Sequence, residues 1–360
     1  MIFNNKKKKE ELIILNITSF FQINNFLSFF LEKRLLVKKK ICLVIFSETI
    51  PENLILEFIE NLKKFVDLEF IDLRRKNIVT KKFLKIRYLS VFMYYFGIFK
   101  KLINIKKFYR VEYLSTYTKL QISNLILIIF LLPNKIFLLE DGLRDYVPQP
   151  KKLKVTAIFY IFKKFLNFSK CQLLVLQLAN MRSDYLGLLK EPFLQEKNFF
   201  DNKNFFKNFC KINLDRNKVI NPKCILIGTK STNQSFEYNK NLYLRTLEDV
   251  KTKYNYDFNQ IIFLPHPREE DLFLEKLKVC LSGISKIKLN SSIVVENYLA
   301  NDNLELVIGA FSSTLYYAKV IFKKKNVYYL ENFKNPNQNN VKINKYVSIY
   351  NSFNIKNYFN

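Results

Sequence analysis

Three short stretches of this chain join an apolar run to side chains that can move protons or hold anions. In Ile261-Ile-Phe-Leu-Pro-His-Pro267 a strand-like run breaks into two prolines around His266, the only histidine in 360 residues. Histidine is the side chain best able to exchange a proton near neutral pH, and ligands of open α/β sheets gather just beyond the carboxyl ends of strands. The second stretch, Ile136-Phe-Leu-Leu-Glu-Asp-Gly142, ends in two adjacent carboxylates and a glycine. Side chains alternate along a strand, so Glu140 and Asp141 leave the sheet in different directions and one of them can face a cleft, while Gly142 permits a tight exit. The third, Leu304-Glu-Leu-Val-Ile-Gly-Ala-Phe-Ser-Ser-Thr314, reads as a buried strand, a small-residue turn, and the hydroxyls of Ser312 and Ser313 opening a helix. Hydroxyls and backbone N–H groups at a helix N-terminus form a phosphate site without a metal. Each stretch also has a plainer explanation: an inert loop histidine, solvated acids with Asp141 capping a helix, and an N-cap serine.

Placing such residues at strand ends requires parallel sheets, and the rhythm of the chain supplies them. Strand-like runs at Leu12–Leu15, Ile41–Phe46, Leu68–Ile71, Arg110–Leu114 and Lys135–Leu139 alternate with helix-length segments at Phe20–Glu32, Glu52–Phe65 and Lys81–Phe99. Alternation of this kind predicts a parallel sheet covered by helices. The rhythm resumes at Cys224–Gly228 and continues through Gln260–Leu264, Lys286–Leu289, Leu304–Ile308 and Val327–Leu330. Between the two series, the Asn-, Lys- and Phe-rich stretch from Asn198 to Asn221 shows no clear periodicity. The predicted organisation is an N-terminal Rossmann-like domain over residues 1–200, a linker over 201–222 and a second Rossmann-like domain over 223–360, facing each other across a cleft. The end of the chain, Glu331 to Asn360, is expected to cross back onto the first domain or, given its asparagines, to fray.

Taken in order, Glu140-Asp141-Gly142, His266-Pro267 and Ser312-Ser313 resemble the acidic-acidic-Gly, His-Pro and Ser-Ser/Thr motifs of the bacterial sialyltransferases. The match is closest in character to the polysialyltransferase group and to glycosyltransferase family 52. The opening, from Leu12 to Gln22, is similar to the first strand and Thr/Ser-x-x-Gln turn of those enzymes. Between Ser183 and Asn221 nothing is recognisable. The resemblance implies an α/β protein of GT-B architecture with the donor nucleotide on the C-terminal half. It also implies inverting transfer of sialic acid from CMP-sialic acid to a sugar hydroxyl, with no metal. Glu140 is then the first choice for the base and Asp141 a support for the motif, with Asp141 as the alternative base. His266, protonated, serves as general acid or as electrostatic partner to the leaving phosphate, and Pro267 completes that motif beside the nucleotide. Ser312 and Ser313 hold the phosphate. Ser292-Ile-Val-Val-Glu-Asn297 resembles the segment that sets a glutamate, here Glu296, on the cytidine ribose, and Ile225-Leu-Ile-Gly-Thr-Lys230 resembles the opening of the donor domain, with Gly228 at the strand's end. The plain alternatives are a surface helix acid for Glu296 and an ordinary strand-to-helix turn at Gly228.

Composition adds boundaries. The 59 Lys and Arg against 31 Asp and Glu give a formal charge of +28. The excess favours anionic partners: nucleic acid, an anionic membrane surface or an acidic sugar nucleotide. A nucleic-acid-binding protein is the reading from another class, built on the runs Lys6–Lys9, Lys38–Lys40, Lys151–Lys154 and Lys323–Lys325, but no recognised nucleic-acid module accompanies them. The nearer alternatives are a transferase for another CMP-activated nonulosonic acid and a different GT-B glycosyltransferase. Cys42, Cys171, Cys210, Cys224 and Cys280 are scattered with no Cys-x-x-Cys pair, the pattern of buried free thiols in a reducing compartment. A zinc site has almost no ligands to draw on. The lysine-rich start followed by apolar residues superficially suggests a secretory signal, but Asn16, Gln22, Asn24 and Asn25 interrupt it and no small-residue cleavage site follows. The apolar run Leu125–Leu132 is far short of the roughly 20 residues a membrane span needs. The expected location is the cytoplasm, with Lys151–Phe168 as either a basic amphipathic segment on the anionic inner face of the membrane or a core helix. The expected acceptor is a cell-surface glycan, either lipooligosaccharide or capsule.

Overall fold

A computed structural model describes residues 9–17, 19–34, 40–45, 66–72, 84–116, 122–140, 183–187, 198–216, 222–229, 236–266, 271–282, 288–289, 295–310, 312–330 and 347–359, with five positions between 55 and 63. The chain divides into two compact units, with the boundary between Asn202 and Lys203.

The first unit carries β1 (Glu10–Asn16), α1 (Phe20–Glu32), β2 (Lys40–Ile45), β3 (Leu68–Asp72), α2 (Leu84–Phe108), β4 (Tyr109–Thr116), α3 (Ile122–Leu131), β5 (Lys135–Leu139), β6 (Ser183–Gly187) and β7 (Asn198–Asp201). Its seven described strands lie in the order β3-β2-β1-β4-β5-β6-β7, every pair parallel. Strands buried on both faces read as continuous apolar runs, which is the composition of Leu12–Leu15, Ile41–Ile45 and Ile136–Leu139. One face packs Leu12, Ile14, Cys42, Val44, Leu114, Ile136 and Leu138 against Ile98, Leu102 and Ile105 of α2 and Leu127, Ile128 and Leu131 of α3. The other face receives α1. Phe26, Phe29 and Phe30 recur at helical spacing, and Phe30 meets Tyr113 and Phe137 with ring centroids 5.5 Å and 5.3 Å apart, edge to face. Each phenylalanine taken fully from water contributes roughly 1.5–3 kcal/mol, so α1 is held by aromatic burial.

The stretch from Ser183 to Asn221 holds ordered structure that its composition conceals. β6 and β7 are short and studded with Ser, Asp and Asn, so alternation has little room to show. Just after β7, the Asn202 amide donates to the Asn25 carbonyl and side-chain oxygens, both at 2.7 Å, and to Ser28 Oγ at 2.8 Å, tying this edge of the sheet to α1. Within the stretch expected as a linker, 201–222, lies α4 (Lys203–Arg216), which belongs to the second unit. Phe206, Phe209 and Cys210 are buried at i, i+3 and i+4. The helical period is present but masked by the lysines and asparagines between those positions.

The second unit continues with β8 (Cys224–Ile227), α5 (Phe236–Tyr254), β9 (Ile261–Leu264), α6 (Asp271–Ser282), β10 (Lys288–Leu289), α7 (Val295–Leu299), β11 (Leu306–Gly309), α8 (Ser313–Val320), β12 (Asn326–Tyr329) and β13 (Lys356–Asn357). Its six described strands run β10-β9-β8-β11-β12-β13, again all parallel. Tyr243, Leu247 and Val250 of α5, spaced for one helical face, pack with Leu277 of α6 on Cys224, Leu226, Ile261, Phe263, Leu306 and Ile308.

Of the chain's end, residues 347–359 are described; they are ordered and belong to the second unit, where β13 extends the sheet beyond β12. The cause is aromatic and aliphatic anchoring: Tyr350, Ile355 and Tyr358 are buried, and the Tyr358 hydroxyl donates to Asp249 at 2.7 Å. The described positions within Glu52–Phe65, namely Ile55, Leu56, Ile59, Glu60 and Lys63, are helical. Lys151–Phe168 and Cys171 lie outside the described residues. Among those residues no helix is long and apolar enough to cross a membrane. Cys42, Cys210 and Cys224 are free and buried, and Cys280 is free and half-buried. Burial pushes the Cys42 thiol up to about 12.

Candidate active site

In each unit the first strand has neighbours that leave it in opposite sequence directions, and this switch point is where open parallel sheets bind ligands. In the first unit it falls between β1 and β4. The carboxyl ends of β1, β4 and β5 there present Asn16, Ser115, Thr116 and Glu140, all buried. Residues two apart share a face of a strand, so Asn16, Thr116 and Glu140 continue the apolar stripes of Leu12 and Ile14, of Leu114, and of Ile136 and Leu138. The Asn16 amide donates to the side-chain oxygen of Asn124 in the first turn of α3. The hydroxyls of Ser115 and Thr116 are buried with no hydrogen-bond partner among the described residues. Leaving such a group unmade costs about 1–3 kcal/mol, a cost of the kind that collects at functional edges. Glu140 is 0% exposed, which rules out the solvated loop acid as its description. Asp141 and Gly142 lie outside the described residues.

In the second unit the switch point falls between β8 and β11, and the residues of interest stand on the neighbouring strand ends of β9, β8 and β11. Gly228 follows β8. Its N–H donates to the Leu264 carbonyl at 2.8 Å, and a Cβ there would lie 3.0 Å from the Phe263 ring and 3.3 Å from Pro265 Cα. Glycine is therefore what lets the end of β8 lie against the turn that carries His266. That histidine is half-buried directly after Pro265, and Pro267 lies outside the described residues. Gly309 at the end of β11 is equally constrained, since a Cβ would sit 2.8 Å from Ile227 Cβ.

The turn after β11 brings Ser312 and Ser313 to the start of α8. Ser312 is the N-cap, extended at φ −145° and ψ 140°, and its side chain accepts the Thr314 N–H at 3.2 Å. Its own N–H donates to the Tyr350 hydroxyl at 2.8 Å. The backbone donors of this turn are thus partly committed within the protein, leaving the Ser312 hydroxyl proton and the N–H and hydroxyl of Ser313 as the groups an anion could use. Capping and anion binding are both compatible with this arrangement.

Glu296 is not a surface acid. It lies in the first turn of α7, 4% exposed, on a helix packed against α4 and α8. Burial raises its carboxyl to about 7, against a smaller opposing effect of a backbone hydrogen bond. An acid buried and shifted in this way is a functional-site candidate on physical grounds. Among the described residues no three His, Cys, Asp or Glu side chains group as a metal ion would need. Sequence reasoning missed Asn16, Ser115, Thr116 and Tyr350. Asn16 was visible as a polar residue closing an apolar strand, and the others had no signal apart from their neighbours in space.

Two doubly wound parallel units of this kind define the GT-B class of glycosyltransferases. Over 95% of its length the chain superposes on 78% of the sialyltransferase from Photobacterium damsela, with a TM-score of 0.50 and 12% identity. Over 96% of its length it superposes on 97% of the GT-B domain of the Photobacterium damselae sialyltransferase, again with a TM-score of 0.50 and 12% identity. At that identity the likeness establishes the fold. The chain belongs to the alpha-2,8-polysialyltransferase family, whose model matches residues 13–331. It is a glycosyltransferase of the sialyltransferase type. Membership implies a nucleotide-sugar donor and a glycan acceptor. No curated protein matches the chain.

Proposed function

We propose that this protein transfers sialic acid from CMP-sialic acid to a hydroxyl of a cell-surface glycan, lipooligosaccharide or capsule, with inversion and without a metal. Glu140 removes the acceptor proton as its oxygen bonds to the anomeric carbon. The bond from that carbon to the phosphate oxygen breaks, and CMP departs. Protonated His266 neutralises the growing phosphate charge or protonates it, with Pro267 fixing its turn. Ser312 and Ser313 hold the phosphate from the other side. Glu296 accepts hydrogen bonds from the ribose hydroxyls, Gly228 lets the nucleotide approach the end of β8, and Asp141 supports the acidic motif. The observation that carries the reading is that the three motif positions of a sialyltransferase-family chain stand at carboxyl ends of parallel strands or at the helix opened just after one.

A positioned base contributes roughly 10²–10⁴-fold, and a preorganised donor on the developing charge roughly 10²–10³-fold. The sparse supply of ligands, one histidine and no thiol cluster in the whole sequence, supports metal independence. The test is incubation of purified protein with CMP-sialic acid and a panel of galactosyl and sialyl acceptors, with and without EDTA. Acceptor-dependent CMP release that survives EDTA is expected. Release abolished by EDTA, or turnover with a different nucleotide sugar only, contradicts the reading.

A peripheral seat on the anionic inner membrane face is proposed as well. On α2, Phe96 and Ile103 are 58% and 60% exposed and stand seven residues apart, with Lys100 and Lys107 at the intervening and following helical positions. Apolar anchors beside lysines suit an anionic leaflet. Flotation with vesicles containing anionic lipid should recover the protein, and a Phe96→Ser, Ile103→Ser variant should remain unbound. Equal recovery of both proteins rejects this seat.

A further inference from the structure

We infer that Tyr350 is a positioning residue for the donor phosphate and that the C-terminal segment 347–359 is a working part of the donor site; this rests on the proposed phosphate role of the Ser312–Ser313 turn. The Tyr350 hydroxyl grips the backbone of Ser312 from both sides, accepting its N–H at 2.8 Å and donating to its carbonyl at 2.8 Å. One phenol thereby satisfies both backbone groups of the residue that caps α8, and holds it in the extended conformation that aims its side chain at Thr314 N–H. The phenol is itself fixed. Its ring is fully buried and stacks on Tyr329 at the end of β12, with centroids 5.6 Å apart and planes at 25°.

The segment that supplies Tyr350 is anchored at a second point. The Tyr350 carbonyl accepts the Ile355 N–H at 2.9 Å. The chain then pairs as β13 with β12 through Tyr328–Lys356 and Tyr329–Asn357. Tyr358 bonds Asp249 of α5, and the Arg245 guanidinium lies 4.3 Å from the centre of the Phe359 ring. The tail is a strap tied to the sheet edge and to α5, with its inner phenol hooked onto the serine turn. Preorganisation of this kind matters because a turn must already present its donors when the phosphate charge develops. The Ser312 carbonyl also accepts the Leu315 N–H at 3.2 Å in the first turn of α8, so the phenol adds a second hold on that carbonyl and takes up the N–H, which the helix does not use.

The decisive variant is Tyr350→Phe, which keeps the ring stack and removes the hook. Its control is Tyr358→Phe, which removes a buried phenol hydrogen bond from the same strap at a point remote from the serine turn. Both full-length proteins and the wild type are titrated with CMP and with cytidine by calorimetry, and their thermal unfolding is measured. The expected result is that Tyr350→Phe binds CMP about tenfold more weakly, the effect of roughly one hydrogen bond's worth of order, while its affinity for cytidine is unchanged. Tyr358→Phe should lose comparable thermal stability with no change in either affinity. A Tyr350→Phe protein that binds CMP as the wild type does makes the phenol purely structural and overturns the inference. A wild type that binds CMP no more tightly than cytidine overturns the phosphate role of the turn itself, and the inference with it.

Discussion

Replacing Glu296 with glutamine should stabilise the protein above neutral pH while weakening its hold on the nucleotide. Burial raises the Glu296 carboxyl from the ordinary 4.5 to about 7. Below pH 4.5 the acid is neutral in both folded and unfolded chains and the shift has no consequence. Between pH 4.5 and 7 the unfolded chain releases a proton that the folded chain retains, so stability falls as pH rises, and above pH 7 the loss is complete. A shift from 4.5 to about 7 corresponds to roughly 3 kcal/mol at that plateau. For a unit of this size each kcal/mol moves the melting temperature by roughly 2–4 °C, which makes the expected difference about 6–12 °C. Glutamine keeps the shape and carries no charge to desolvate. Thermal unfolding of wild type and Glu296→Gln from pH 4.5 to 8 should show curves that meet at low pH and diverge towards pH 8, the variant being the more stable. Calorimetry at pH 8 should show weaker binding of CMP, because an amide offers a ribose one acceptor oxygen in place of two. Parallel stability curves over the whole range would refute the burial argument, and unchanged CMP affinity would remove Glu296 from the ribose.

Two further substitutions probe the strand ends. His266→Ala should remain folded, since the half-buried imidazole stands after β9 and outside the buried core, and lose roughly 10²–10⁴-fold in transfer; near-normal turnover by the folded variant removes the imidazole from the mechanism. Gly309→Ala forces a Cβ to within 2.8 Å of Ile227 Cβ and 3.2 Å of the Ile227 carbonyl oxygen. Overpacking of that kind costs about 1–3 kcal/mol, and chemical denaturation that shows no loss would mean that β8 and β11 are free to separate.

The parallel sheets were legible wherever a strand is buried on both faces, because Leu12–Leu15, Ile41–Ile45 and Ile136–Leu139 then appear as unbroken apolar runs, and α1 begins and ends where its aromatic spacing does. β6 and β7 escaped notice because Ser183, Asp184, Asn198 and Asp201 dilute a signal only four or five residues long. α4 looked like a linker because Phe206, Phe209 and Cys210 sit among lysines and asparagines that face outward. The strand-end positions of Glu140, His266 and Ser312 could be read because each follows a run of buried residues. The depth of Glu296 could not, since an acid in a short helix looks solvated until α4 is seen to cover its helix. Nor could the hook of Tyr350, a contact 38 residues from Ser312 in sequence that only the pairing of β12 with β13 brings about.

In the proposed reaction Glu140 takes the acceptor's proton during sialyl transfer from CMP-sialic acid. Glutamine at 140 keeps volume and shape but cannot accept that proton, whereas Asp141→Asn retains an oxygen for any cap and should cost about 1 kcal/mol or less. Single-turnover transfer to the best acceptor, measured beside CMP affinity for wild type, Glu140→Gln and Asp141→Asn, tests this directly. Unchanged CMP affinity is expected, with transfer reduced roughly 10²–10⁴-fold in Glu140→Gln and near-normal in Asp141→Asn. A fully active Glu140→Gln contradicts it, and the base is then Asp141 if Asp141→Asn is dead.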